Sequence, residues 1–295
     1  MDRLDAMQAF VRVAELGSFA AAAQQMNVAR SVVTRQIAAL ERHLGVKLMV
    51  RSTRRLTLTS AGAAYLEKCR VILTMLDSAE GEVAAERHIP RGHIRLSVPL
   101  SFGLKRLTPL LLQFAQHYPE VQLETEYSDR HAHLIEEGID LSIRITAQPE
   151  ASDIVRVLGE TRLAVVAAPS YLAQYGEPQH PLALQHHTCL AYVRGGQRQS
   201  WQFWMGEHWL TVPIRSQFAA NNGDVLTEAA AQGLGLTCQP DFIVADWLAQ
   251  GKVQTVLTDF PCPRPKIYAV LPSNRHIPYR VRVLMDFLAE QLANQ

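Results

Sequence analysis

Arg30, Ser31, Thr34, Arg35 and Ala38 are spaced so that a helix gathers them on one side, with Arg30 at its edge and start. The opposite side of the same stretch carries Val33, Ile37, Leu40 and Leu44, an apolar stripe that predicts a helix from about Arg30 to Leu44. The outward set suits base reading in a major groove. A guanidinium donates two hydrogen bonds to a guanine edge, hydroxyls meet bases or phosphates, and a small side chain such as Ala38 permits close approach. Arg35 is the foremost reader. On an isolated amphipathic helix the same arginines could be plain solvated charges, so the residues that follow carry weight. Gly45 ends the helix, and Val46–Met49 and Leu56–Thr59 read as two short strands around Arg51-Ser52-Thr53-Arg54-Arg55. Arg51, Thr53, Arg54 and Arg55 would then form a basic wing that grips phosphate or enters a minor groove.

Such readers need a rigid base, and the preceding residues supply one. Leu4, Met7, Phe10, Val11 and Ala14 share one face of a first helix that ends at Gly17. Ser18 can cap a second helix, Ala20 to Ala23 let another helix pack closely, and Asn27 can take a left-handed turn. This is a helix-turn-helix layout. Charge agrees with it: residues 1–59 hold nine Lys or Arg against four Asp or Glu, a net of +5, and the whole chain is only +1, which leaves −4 for the remainder. A basic amino-terminal fifth favours a polyanion as its partner.

These residues resemble the DNA-binding signature of LysR-type transcriptional regulators. The resemblance rests on Gly17-Ser18-Phe19, Ala22-Ala23, Val33-Thr34-Arg35-Gln36-Ile37, Leu40-Glu41, Leu44-Gly45-Val46, and Arg51 to Thr59 followed by Ala61-Gly62. It implies a dimeric regulator whose third helix reads a dyad-symmetric site on double-stranded DNA, with the wing on flanking DNA. The chain departs from the signature at Ala29, where a serine or threonine often caps the third helix.

From Ser60 to Arg87 there is no proline, and Leu66, Cys69, Leu73, Leu76 and Val83 form an approximate heptad stripe flanked by Tyr65, Ile72 and Ala79. A long helix follows, whose stripe packs either on its own body or on a second copy. The resemblance implies the second use, a homodimer or higher homo-oligomer. Ile89-Pro90-Arg91-Gly92 breaks that helix. The organisation is therefore a winged helix-turn-helix over 1–59, a linker helix over 60–88 and an effector-binding domain over 89–295.

Beyond Gly92 strand-like and helical runs alternate, which predicts an α/β domain. Strands are expected over His93–Val98, Val121–Tyr127, Ile139–Ile145, Leu163–Ala167, Leu234–Cys238 and Lys266–Leu271. Helices are expected over Leu104–His117, His133–Glu137, from Pro169, over Val225–Gln232 and over Tyr279–Leu292. Tyr127 to Arg130, Ile135 to Arg144, Ala168 to Leu172, Asn221 to Asp224, Gly233-Leu234-Gly235 and Pro240 are similar to the effector-binding half of LysR-type regulators. That half implies a fold like periplasmic solute-binding proteins. Lobe I would cover about 92–160 and 266–295, lobe II about 161–265, with a small molecule between them.

In open α/β sheets ligands collect at strand carboxyl ends and helix amino termini. That rule selects Pro99, Leu100, Ser101, Phe102, Ser128, Ile145 and Thr146 in one lobe, and Ala168, Asn222, Gly223 and Asp224 in the other. Ser101 can cap a helix as well as face a ligand, and Asn222-Gly223 is also ordinary turn chemistry. Free amides and hydroxyls suit a small organic anion or a polar aromatic, with Arg144 and Arg194 able to balance its charge.

Several other classes fit less well. No nucleotide-binding or nucleophile motif appears, and His186-His187 has no metal spacing, so neither an enzyme nor a cofactor or metal is expected. Cys69, Cys189, Cys238 and Cys262 are scattered and predict packed, reduced thiols. The acidic amino terminus and the absence of a long apolar run point to a cytoplasmic protein with no membrane partner. A solute-binding protein would leave the basic wing unexplained. An architectural DNA-binding protein with an inert second domain is the main alternative, and RNA polymerase is a further partner for a regulator.

Overall fold

Helix α1 (Arg3–Leu16) starts where the Asp2 carboxylate accepts the Leu4 amide at 2.9 Å and ends at Gly17. In α2 (Phe19–Gln25) the Ser18 hydroxyl accepts the Ala21 amide, and Asn27 turns the chain at a φ of 53° into α3 (Arg30–Leu44). The computed structural model describes residues 2–51, 56–84, 89–130, 133–147, 149, 154–194, 196–198, 200–272 and 277–293, without the side chains of 51, 74, 77–84, 194, 197 and 198. Ala6, Phe10 and Val13 of α1, Ala22 of α2 and Val33, Ile37 and Leu40 of α3 are buried in one core. The small alanines let the three helices close on that core.

The strands β1 (Met49–Arg51) and β2 (Leu56–Leu58) pair antiparallel, Met49 opposite Leu58. The sequence predicted the first strand over Val46–Met49. It begins later because the buried Glu41 carboxylate takes the Leu48 and Met49 amides, at 3.0 and 3.3 Å, and ties that approach to α3. After β2 comes α4 (Ser60–Ala84). Its Gly62 lies hard against the backbone before β1, where any Cβ would sit 1.9 Å from the Leu48 carbonyl oxygen. Leu66 and Cys69 are buried in the three-helix core, with Tyr65 and Leu73 packed on it. The first half of the stripe read from the sequence, Leu66, Cys69 and Leu73, therefore covers the protein's own body, while the Val83 side chain lies outside the described residues. Among the described residues the exposed large apolar side chains of α4 are its neighbours Val71, Ile72 and Met75.

Two compact units are present: Met1–Pro90 with Ile135–Gly138 and Asn274–Arg282, and Arg91–Leu134 with Ile139–Ser273 and Val283–Gln295. In the second unit β3 (Gly92–Val98) leads into α5 (Leu100–Phe102), a π-helical turn over Gly103–Leu107 and α6 (Thr108–His117). The helical run thus starts four residues before the predicted Leu104, because the Asp129 carboxylate accepts the Leu100 amide at 3.0 Å. Then come β4 (Val121–Tyr127), β5 (Leu141–Thr146), β6 (Ile154–Glu160), β7 (Leu163–Ala167) and α7 (Pro169–Tyr175). The predicted helix at His133–Glu137 is a turn over 134–138. The chain continues through β8 (Thr188–Arg194), β9 (Gln197–Arg198), β10 (Trp201–Trp204), β11 (Trp209–Val212) and β12 (Arg215–Ala220) to α8 (Gly223–Ala231). It closes with β13 (Leu236–Pro240), α9 (Asp241–Ala249), β14 (Gln254–Val256), β15 (Lys266–Leu271) and α10 (Tyr279–Ala293).

Apart from the β10–β11 hairpin, these strands make two sheets. One has the order β4-β3-β5-β15-β6, with β3 parallel to β4 and β5; the other has the order β12-β8-β13-β7-β14, with β8 parallel to β12 and β13. The chain passes between them at Thr161 and at Pro265, and the Thr161 amide donates to the Pro265 carbonyl at 2.9 Å, so both crossings lie side by side. Thr161 also donates its hydroxyl to Asp241 at 2.7 Å, which fixes α9 beside the crossing. No described helix is long and apolar enough to cross a membrane.

Candidate functional site

On α3 the side chains of Arg30, Ser31, Arg35 and Ala38 are exposed and Thr34 is half-buried, while Val33, Ile37 and Leu40 anchor the opposite face. The helix is thus held from behind and offers a row of donors in front. Ala29 is its N-cap and provides no side-chain hydrogen bond. The predicted wing residues Thr53, Arg54 and Arg55 lie outside the described residues, as does the side chain of Arg51. The strands that would carry them are present, and Glu41 fastens their entry to α3. Burial pushes the Glu41 carboxyl up, but the Lys47 ammonium at 2.6 Å and the Leu48 and Met49 amides outweigh it and hold the group below its ordinary 4.5.

Between the two sheets of the second unit lies a cavity of about 700 Å³, a size that suits a small organic ligand. Of the residues selected from the sequence, Pro99, Ser101, Phe102, Ser128, Ile145, Thr146 and Gly223 line it. Leu100, Ala168, Asn222 and Asp224 do not. Ala168 is buried in the core beneath β7 with Tyr171 and Leu184, and Leu100 is partly exposed. Asn222 caps α8 by accepting the Val225 amide at 3.1 Å and turns its amide nitrogen to Ser101, 3.3 Å away. Ser101 is the second residue of α5 rather than its cap; the N-cap is Pro99, and the Ser101 hydroxyl donates to the Asp224 carboxylate instead. Arg144 lines the cavity, and the side chain of Arg194 is outside the described residues.

The walls also include residues that the selection by strand ends missed. Ser97 and Ser142 are buried, sit opposite each other on β3 and β5, and line the cavity. Trp201, Phe242 and Tyr268 supply aromatic surface, and Gln239 a buried amide. The signal for the two serines was present in the sequence: each is a lone hydroxyl inside an apolar strand, Leu96-Ser97-Val98 and Leu141-Ser142-Ile143. The free thiols Cys69 and Cys189 are buried, which pushes them up to about 11 and about 12.

Two sequence families match this architecture. Residues 4–63 fit the bacterial regulatory helix-turn-helix protein, lysR family, and residues 87–293 fit the LysR substrate binding domain. A curated relative from Xanthomonas campestris, an HTH-type transcriptional regulator, is 36% identical over 96% of this chain and 83% of its own. The chain belongs to the LysR family of transcriptional regulators.

Solved LysR-type structures extend the match to the whole fold. CrgA, a LysR-type transcriptional regulator from Neisseria meningitidis, is 33% identical, with a TM-score of 0.62 over 98% of this chain and 99% of its own. The virulence activator AphB from Vibrio cholerae is 29% identical, with a TM-score of 0.60 over 98% and 99%. In this LysR-type regulator the helix-turn-helix and the effector-binding domain are thus the two working parts. Asp129 and Glu41 are further polar residues whose roles the sequence did not disclose, since each accepts an amide brought near by folding.

Proposed function

We propose that this regulator binds a dyad-symmetric operator as a dimer or higher homo-oligomer and changes its grip on DNA when a small molecule enters the cavity between its two sheets. The proposal divides the chain at about residues 59 and 88, with lobes over 92–160 plus 266–295 and over 161–265. The exposed row Arg30, Ser31, Arg35 and Ala38, on a helix locked from behind, is the observation that carries it. Arg35 reads a base edge, Arg30 and Ser31 approach phosphate near the uncapped start of α3, and Arg51, Thr53, Arg54 and Arg55 hold flanking DNA. The effector is a small organic anion or polar aromatic. Hydroxyls of Ser97, Ser128, Ser142 and Thr146, the Arg144 guanidinium and the aromatic walls support that class. The protein works on chromosomal DNA in the cytoplasm, and RNA polymerase is the partner through which bound regulator alters transcription.

Genome-wide mapping of the tagged protein supplies the operator, and Arg35→Ala tests the reading helix. The variant should lose about 1–3 kcal/mol of operator affinity and relax specificity at one symmetric base position, while binding to scrambled DNA changes little. Full sequence-specific binding by Arg35→Ala would rule out α3 as assigned.

A further inference from the structure

At the edge of the cavity a carboxylate from one lobe is held by donors from the other. Asp224, the second residue of α8, places one oxygen 2.9 Å from the Lys105 ammonium and accepts a hydrogen bond from the Ser101 hydroxyl on the other. Asn222 adds two ties from the same segment, its amide nitrogen reaching the Ser101 hydroxyl at 3.3 Å and the Asp129 carboxylate at 3.2 Å. Ser101, Lys105 and Asp129 all stand at the carboxyl ends of the first sheet, whereas α8 packs on the second. The start of α8 is fixed to its own lobe: a Cβ on Gly223 would come within 2.5 Å of both the Gln239 amide oxygen and Ile243. The carboxylate is therefore a tie between lobes and not a loose side chain folding onto a neighbour.

A buried hydroxyl and an ammonium converging on one carboxylate make an anion position. Ser101, which supplies the hydroxyl, is 6% exposed and lines the cavity, so a ligand in the cavity reaches the same donor. Resting on the reading of this cavity as the effector site, we infer that Asp224 is a built-in stand-in for a carboxylate effector, which acts by taking Ser101 and Lys105 from it and so loosening the contact between the lobes, to which the Asn222–Asp129 bond and the Lys105 bond to the Ile243 carbonyl, at 3.2 and 3.3 Å, also contribute. The exchange is physically easy. The Asp224 and Lys105 side chains are 38% and 27% exposed, and a water-accessible ion pair of this kind is held weakly. One carboxylate replaces another, so Lys105 is never left unpaired. The released Asp224 remains in the first turn of α8, where the helix dipole favours a negative charge. An uncharged amide of the same shape accepts from Ser101 but leaves Lys105 without a counter-charge, so the site selects an acid over its amide.

The test uses the full-length protein and two probe pairs, benzoate with benzamide and acetate with acetamide, measured by calorimetry at fixed ionic strength. Asp224→Ala removes the internal competitor and should raise the apparent affinity for a carboxylate about tenfold, with little change for the amides. Hydrogen exchange over Leu100–Lys105 and Gly223–Ala231 should rise in Asp224→Ala alone as it does in the natural protein with carboxylate added. Lys105→Gln, which keeps the fold of the helical run, should abolish the preference for acid over amide. Equal carboxylate affinity with and without Asp224, at a cavity that still binds the probes, overturns the inference and leaves the cavity reading standing. Failure of all four probes to bind either protein overturns both.

Discussion

Glu41 shows how one carboxylate joins α3 to the start of β1. It sits on the inward side of α3, accepts the Leu48 and Met49 amides and pairs with Lys47 at 2.6 Å. Hydrogen bonds to a charged group are stronger than neutral ones, so Glu41→Gln should destabilise the protein by about 2 kcal/mol near neutral pH. The loss depends on pH in a definite direction. The folded group titrates below its ordinary 4.5, so its contribution is complete above that value and disappears as pH falls through the lower folded value. Thermal melts of the natural protein and Glu41→Gln should therefore differ most above pH 5 and converge in stronger acid; a constant gap across that window would argue against the carboxylate as the anchor. Residues whose work depends on helical period were legible in the sequence, which is why Arg30, Ser31, Arg35 and Ala38 emerge on the open face. Glu41 was not, because a glutamate beside an apolar stripe reads as a surface charge until the Leu48 amide is folded against it. Ser101 lines the cavity, but its hydroxyl does not cap the next helix as expected, since its acceptor lies 123 residues away.

At the level of elements, α3 is the clearest case of a helix built by its neighbours rather than by its own ends. Ala29 has extended dihedrals, φ −69° and ψ 143°, and supplies no side-chain acceptor to the first turn. Those dihedrals already suit a capping serine, and the position is exposed. Ala29→Ser should add about 0.5–2 kcal/mol of stability, read as a higher melting temperature. If the melting temperature does not rise, the first turn is satisfied in some other way. The same local logic explains which elements could be anticipated. The helices over 3–44 follow from spacing and caps within a few residues, and β4 and β7 match the predicted spans, β4 because apolar Val121, Leu123 and Tyr127 alternate with polar residues and β7 because Leu163–Ala167 is an uninterrupted apolar run. Among the strands that escaped notice, β12 is an edge strand with mixed exposure and β10 and β11 form a separate hairpin, so none of the three makes a long apolar run, whereas the apolar run Cys189–Val193 of the central strand β8 was legible and went unread. The start of β1 shifted for a tertiary reason, the amides captured by Glu41.

For the molecule as a whole, the decisive question is how two reading helices are held at one operator. The sequence offered the stripe through Leu66, Cys69, Leu73, Leu76 and Val83 as a seam, but Leu66, Cys69 and Leu73 are taken up by the three-helix core, and the Val83 side chain lies outside the described residues. Among the described residues of α4 the large apolar side chains left in water are Val71, Ile72 and Met75, at 39%, 40% and 49% exposure, and they fall on an adjoining face of the same helix. A second copy packed on this face removes them from water and couples two modules, each too small to bind a site tightly alone. Coupling matters because the second half-site is then met at high effective concentration, a gain of about a hundredfold or more without any new DNA contact. The double substitution Val71→Glu and Met75→Glu places like charges across such a seam while leaving the core stripe intact. Analytical ultracentrifugation should show a smaller species, and the affinity for a full dyad operator should fall by about a hundredfold. Binding to an isolated half-site should stay the same, since α3 and its backing core are untouched. A variant that sediments as the natural protein does would place the subunit contact elsewhere, and one that also lost half-site binding would show that the α4 face supports the reading module itself.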